Sequence, residues 1–257
     1  VDGDDFIDAA FLKHLLDASD RGASDLTVAG KLFCDRFPPD KIPALPTCGI
    51  FLRREFPLKN NLEFPEGIHP CEDGLFSHFV LALTEKISFC PEAVYHYRQH
   101  EQGNHHQIRK RTADILPMIP RWLSLIEEFY EQRHLWKRKA GHLVRFIEHE
   151  PFELRLLGMP FSPPEQEILY SIIRDFLNAH CTAAECRRAS LHLPFRLLLK
   201  SSGFSDFGRR LRRAGKNTGI RRKLLHFCPV PSWRRNGRAR LRQVREQLEE
   251  IRRNITF

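Results

Sequence analysis

Asp2, Asp4 and Asp5 fall within four residues at the start of the chain, and a second acidic pair, Glu72-Asp73, follows later. Three carboxylates this close repel one another, so a fold keeps them together only where solvent, a turn or a cation absorbs the charge. The chemistry open to them is coordination of a divalent cation that in turn holds a phosphate. The competing account is a polar turn, for which Asp and Gly are ordinary residues. Behind Glu72-Asp73, the spacing of Leu75, Phe76, Phe79, Val80 and Leu83 predicts an amphipathic helix over 74–83. The pair therefore sits at a helix N-terminus, where the dipole and free backbone amides favour negative charge. A third group, His96, Arg98 and His100, lies near a strand-like run over 93–98 whose alternation puts His96 and Arg98 on one face. An imidazole suits Mn²⁺ better than Mg²⁺, and a guanidinium neutralises phosphate oxygens or closes a structural ion pair. His69, Cys71, His78, Cys90 and His96 supply zinc-ligating types, but no two of them have a finger-like spacing.

The elements that must position these groups are partly readable. Phe11, Leu12, Leu15 and Leu16 in helical spacing predict a helix over 6–16, with Asp8 as its cap. Pro38, Pro39, Pro43 and Pro46 make 38–48 a semi-rigid loop. Pro91 separates two short strand-like runs, 87–90 and 93–98. Beyond residue 107 the pattern turns helical: 108–149 carries Trp122, Leu123, Leu125, Ile126, Phe129 and Tyr130, interrupted at Pro117 and Pro120, and 166–180 forms another helix. Residues 201–257 mix Gly, Ser and Arg with Pro229 and Pro231 ahead of a charged helix over 238–253. The organisation expected is thus 1–107, a helical extension over 108–200 and a basic helical tail over 201–257, with no internal repeat and no low-complexity tract.

With 257 residues the chain can bury a sizeable core. No apolar run reaches the roughly 18 to 20 residues of a membrane span, and no basic-then-apolar signal pattern opens the chain. The expectation is a cytoplasmic protein, or one peripheral on the inner face of the membrane. Seven scattered cysteines (34, 48, 71, 90, 181, 186, 228) with no CxxC pair argue against a disulfide framework or a zinc ribbon. The net charge of +9 is uneven: residues 200–257 hold 17 Lys and Arg against 4 Asp and Glu, or +13, leaving 24 against 28, or −4, for the rest. Cations interleaved with Leu197, Leu198, Leu199, Phe204, Phe207, Leu211, Leu224 and Leu225 suit an anionic membrane surface contacted by residues 200–257. Solvated surface or self-association is the second account. Nucleic acid is the third, since no nucleic-acid motif is present and aromatics are sparse among the arginines.

At this point the residues carry a resemblance. Val1-Asp2-Gly3-Asp4-Asp5-Phe6-Ile7 looks like the DxD segment of family 2 glycosyltransferases of the GT-A fold. Leu62-Glu63-Phe64-Pro65-Glu66-Gly67 followed by Cys71-Glu72-Asp73-Gly74-Leu75-Phe76 is similar to the family's "FPEG … ED" acceptor-side segment. Val94-Tyr95-His96-Tyr97-Arg98-Gln99-His100, with Asn104 behind it, resembles the "YRQH … N" ending of bacterial members. The three occur in the family's order over about the first 105 residues; the helical remainder resembles only variable C-terminal extensions.

The resemblance implies a fold class and a chemistry. The fold would be α/β, an incomplete GT-A (Rossmann-like) domain followed by a mostly helical C-terminal extension. The activity would be inverting, metal-dependent transfer of a sugar from a nucleotide-sugar donor to a glycan or lipid-linked acceptor in cell-envelope polysaccharide or lipopolysaccharide synthesis. A departing nucleoside diphosphate calls for Mn²⁺ or Mg²⁺ as Lewis acid. Asp2 and Asp4 match the DxD positions that face the nucleotide and the metal, with Asp5 second to Asp4 though the two could exchange roles. His100 matches a position that reaches metal or diphosphate, and Arg98 would offset diphosphate charge. Asp73 matches the base that takes the acceptor hydroxyl's proton, with Glu72 contacting the acceptor or orienting the helix start. A GT-A domain also carries a nucleotide-binding βαβ region ahead of its DxD strand, and the resemblance implies that this part is missing here, which would leave the fragment a poor binder of nucleotide. The competing class is a non-enzymatic helical adaptor that binds an anionic membrane or nucleic acid through its basic tail, with the acidic cluster as a turn.

Overall fold

The computed structural model describes residues 3–98 and 111–226, together with Ile108, Arg242 and Glu246. The chain is a mixed α/β protein that separates into two compact units, 1–149 and 150–257. The helices between 112 and 147 belong to the first unit, which therefore extends well past residue 107.

In the first unit, strand β1 (Phe6–Ile7) leads through a turn into helix α1 (Phe11–Gly22). Strand β2 (Leu26–Ala29), helix α2 (Lys31–Arg36), strand β3 (Ile50–Leu52), helix α3 (Glu55–Asn60), helix α4 (Glu72–Leu83), and strands β4 (Ile87–Cys90) and β5 (Tyr95–His96) follow. Helices α5 (Thr112–Ile115), α6 (Met118–Gln132) and α7 (Trp136–Ile147) complete the unit. Two small sheets result. One pairs β1 with β5 antiparallel; in the other, β2 lies between β3, antiparallel to it, and β4, parallel to it. The sequence reading contains neither β2 nor β3. All four residues of β2 are buried, because neighbours cover both its faces, and such a strand shows no polar alternation.

Several expectations change in physically informative ways. The helix expected over 6–16 starts only at Phe11, and Phe6–Ile7 is extended because its backbone pairs with Tyr95–His96. Asp8 does not cap that helix with its side chain. Its backbone carbonyl closes the entry turn on the Phe11 amide at 2.9 Å, while its carboxylate turns to His96. The strand expected over 93–98 reduces to Tyr95–His96. Pro120 does not interrupt a helix: Pro117 is the N-cap of α6 and Pro120 lies in its first turn, where a missing N–H costs nothing. The loop over 38–48 holds short 3₁₀ turns at Pro39–Lys41 and Thr47–Gly49 and is otherwise irregular, as its prolines dictate.

Helix α4 departs furthest from its amphipathic reading. Every residue from Gly74 to Ala82 is buried. One side meets the proline-rich loop, where Leu45 N–H donates to Ser77 Oγ at 2.8 Å. Other sides meet α6 and α7 through Phe79 stacked on Phe129 and His78 stacked on His142. A helix enclosed in this way is packed on all sides, and truncating Leu75, which is fully buried, to Ala costs about 2–5 kcal/mol.

The second unit comprises a π-helical stretch (Glu148–Leu157) that crosses from the first unit, then α8 (Pro163–His180), α9 (Ala183–Ala189), α10 (Leu193–Lys200) and α11 (Phe204–His226). Ser162 and Thr182 open α8 and α9 with reciprocal capping boxes to Glu165 and Glu185. Phe152, Phe195 and Phe207 are fully buried and form the aromatic centre of the unit. Arg174 donates to the Leu198 and Leu199 carbonyls at 2.9 and 2.7 Å, satisfying the C-terminal end of α10. From Phe204 the segment expected to be rich in Gly, Ser and Arg is one continuous helix; the charged helix expected over 238–253 lies outside the described residues apart from two helical positions.

Candidate functional site

The β1–β5 pairing joins the two ends of the region that could do chemistry. Phe6 stands opposite His96 and Ile7 opposite Tyr95, extended by the Asp8 amide donating to the Val94 carbonyl at 3.3 Å. Asp5 fastens this pairing from the acidic cluster: its Oδ2 accepts the Tyr95 hydroxyl at 2.8 Å, and its Oδ1 accepts the Arg98 backbone amide at 2.8 Å. Asp4, exposed in the turn just before, is the residue next to this clasp in the chain. Phe6 lies flat on the His96 ring at 4.2 Å, and His96 Nε2 contacts Asp8 Oδ1 at 2.7 Å. His96 is therefore engaged with its own strand pair and with Asp8. Sequence reasoning gave Tyr95 no part in positioning and Asp8 only that of a helix cap; neither contact is reachable by local spacing.

Glu72 and Asp73 occupy the first turn of α4, as expected. The residue ahead of them, Cys71, is buried with φ +89°, a left-handed conformation that costs a non-glycine residue of order 1–3 kcal/mol. Strain of this kind persists only where surroundings impose it, and it gathers at functional sites. Here it turns the chain sharply, so that Glu72 and Asp73 sit at the mouth of a fully enclosed helix rather than on a loop. Glu72 Oε1 contacts His69 Nδ1 at 3.2 Å, with both side chains about half exposed, and Asp73 Oδ1 accepts the Gly74 amide at 2.7 Å.

The 62–67 segment is docked beside this helix start. Phe64, itself exposed, stacks on Phe76 at 4.1 Å and an interplanar angle of 16°, and Phe76 follows Asp73 by one helical turn. Gly67 adopts φ +66°, and Arg121 of α6 donates from Nη2 to the Glu66 carbonyl at 3.5 Å. A side chain at residue 67 would meet that guanidinium at 3.3 Å, so a glycine there serves both the turn and the close approach.

Beneath the helix lies a buried polar group that the sequence did not announce. His78 Nδ1 donates to the Pro43 carbonyl at 3.2 Å, and its Nε2 accepts the Tyr130 hydroxyl at 3.1 Å. His142 Nε2 donates to the His78 carbonyl at 3.1 Å, with its ring stacked on His78 at 4.2 Å. Burial, then the neighbouring His142, holds His78 well below the ordinary imidazole range; burial holds His142 down to about 3. Both rings are neutral near pH 7, and their bonds tie the proline-rich loop, α6 and α7 to α4.

Of the residues expected to act, Asp2 and His100 lie outside the described residues. Among the described residues no three His, Cys, Asp or Glu side chains are grouped as a metal ion would need, and two of the three expected ligands are outside that set. His69, Cys71, His78, Cys90 and His96 form no such group: His78 is committed to the core and His96 to Asp8. None of the six described cysteines forms a disulfide. No helix among the described residues is long and apolar enough to cross a membrane. Comparison with protein-family models finds no match for this sequence, and comparison with curated proteins finds none either.

Proposed function

We propose that this chain carries the acceptor-side part of an inverting, metal-dependent glycosyltransferase of GT-A type, moving a sugar from a nucleotide-sugar donor to a glycan or lipid-linked acceptor of the cell envelope. The observation that carries the reading is the Asp5 clasp. The acidic cluster and the Tyr-Arg segment, distant in sequence, are joined as paired strands by Asp5. Sequence resemblance paired the same two segments on independent grounds.

The clasp also divides labour within the cluster. Both carboxylate oxygens of Asp5 are engaged by donors, so Asp5 is the positioning residue; Asp4, which matches the DxD position, is assigned to Mn²⁺ or Mg²⁺ beside the donor diphosphate, with Asp2 and His100 as companions. The bound cation would supply charge neutralisation for the departing diphosphate. Arg98, its backbone anchored by Asp5, extends a guanidinium suited to the same oxygens. Asp73 takes the proton of the attacking acceptor hydroxyl, and Glu72 orients the acceptor from the same helix turn. The rigid seating of α4 supports that role, since a base must be held within hydrogen-bond reach of its proton.

The test is release of nucleoside diphosphate from a panel of UDP-, GDP- and dTDP-sugars with Mn²⁺ and a polysaccharide or lipid-linked acceptor, in native protein and in Asp73→Asn. Acceptor-dependent release that the substitution removes is the expected result. A folded Asp73→Asn variant with undiminished acceptor-dependent release overturns the reading.

A further inference from the structure

The first turns of α11 separate charge from apolar surface along the helix. Phe204, Phe207 and Leu211 are buried in the second unit. Arg209, Arg212, Arg213 and Lys216 are all exposed and fall at i, i+3, i+4 and i+7, so they form one stripe about 10 Å long opposite the buried side. The only acid in the helix, Asp206, contacts Arg210 at 2.7 Å and Arg209 at 3.3 Å, and residues 204–216 hold this one acid against five Lys and Arg.

We infer that this stripe seats the protein on an anionic lipid surface. Three observations favour that partner. The stripe is short and straight, matching a planar array of headgroups. Residues 200–257 carry +13 while the rest of the chain carries −4, so the positive charge that a negatively charged plane attracts is concentrated in the segment that bears the stripe. Residues 209–216 include no aromatic, Asn or Gln side chain with which to stack on bases or read their edges. The inference is independent of the transfer reaction, since it uses neither Asp4 nor Asp73.

Flotation with vesicles tests it, comparing phosphatidylcholine alone with phosphatidylcholine mixed with phosphatidylglycerol. The protein is expected to float with the mixed vesicles only and to be released as salt rises. Each cation near such a surface changes partitioning about fivefold, so Arg213→Gln with Lys216→Gln lowers it roughly 25-fold. Glutamine retains helix propensity, and an unchanged circular dichroism melt verifies the fold of the variant. Equal binding to neutral vesicles, an unaffected double variant, or displacement from anionic vesicles by a low concentration of single-stranded RNA would each overturn the assignment.

Discussion

Asp5 and Tyr95 stand 90 positions apart and meet through a 2.8 Å hydrogen bond from the tyrosine hydroxyl to Asp5 Oδ2. Because Asp5 Oδ1 also takes the Arg98 amide, one carboxylate closes a two-residue strand pair too short to be stable alone. Asp5→Ala removes both acceptors and is expected to destabilise the first unit by about 1–3 kcal/mol. Tyr95→Phe is expected to cost about 1 kcal/mol, and the double variant less than the sum. Urea denaturation of the four proteins measures the coupling; strictly additive losses would mean that the bond contributes nothing.

Asp73→Asn keeps an oxygen to accept the Gly74 amide, so the helix start survives while the base is lost. In a complete enzyme, turnover is expected to fall by about 10²- to 10⁴-fold, with donor affinity and melting temperature nearly unchanged. Steady-state kinetics beside a donor titration separates the two quantities.

The paired imidazoles of His78 and His142 make the first unit acid-sensitive. Both titrate lower in the folded state than the roughly 6.5 of an unfolded chain, so the unfolded state binds the extra protons. Their contribution to stability is complete above that pH and is lost progressively as pH falls from there toward about 3 for His142. The expected slope is about 1.4 kcal/mol per pH unit for each ring. His142→Gln should halve the slope, and urea midpoints measured between neutral and mildly acidic pH give it directly.

A Cβ on Gly158 would lie 2.7 Å from the Leu154 carbonyl oxygen and 3.1 Å from that of Glu153, at the end of the π-helical stretch. Backbone oxygens cannot rotate aside, so Gly158→Ala is expected to cost about 1–3 kcal/mol in the second unit. Gly203→Ala, where nothing lies within 4 Å, serves as the near-neutral control. Similar melting temperatures for the two variants would show that the π-helical turn relaxes freely.

What was readable in the sequence rested on local spacing. The helical run behind Glu72-Asp73, the proline loop, the strand over 87–90, the long helices beyond residue 107 and the basic C-terminal charge all follow from periodicity and composition over short windows. Strand β2 escaped because a strand buried on both faces shows no alternation, and the start of α1 was misplaced because a distant strand claimed Phe6 and Ile7.

The sequence alone determined which residue types were available: an acidic cluster, an acidic pair at a helix start, a Tyr-Arg run and a cationic tail. Tertiary structure decided how they divide the work. Asp4 and Asp5 are equivalent as neighbours in sequence, and only the approach of Tyr95 and Arg98 makes Asp5 the clasp. His78 and His96 look alike as histidines near a site, yet one is enclosed by Pro43, Tyr130 and His142 and the other is held by Asp8. Local periodicity carries no information about partners tens of residues away, whereas the hydrogen bonds that assign these roles are made only when those partners arrive.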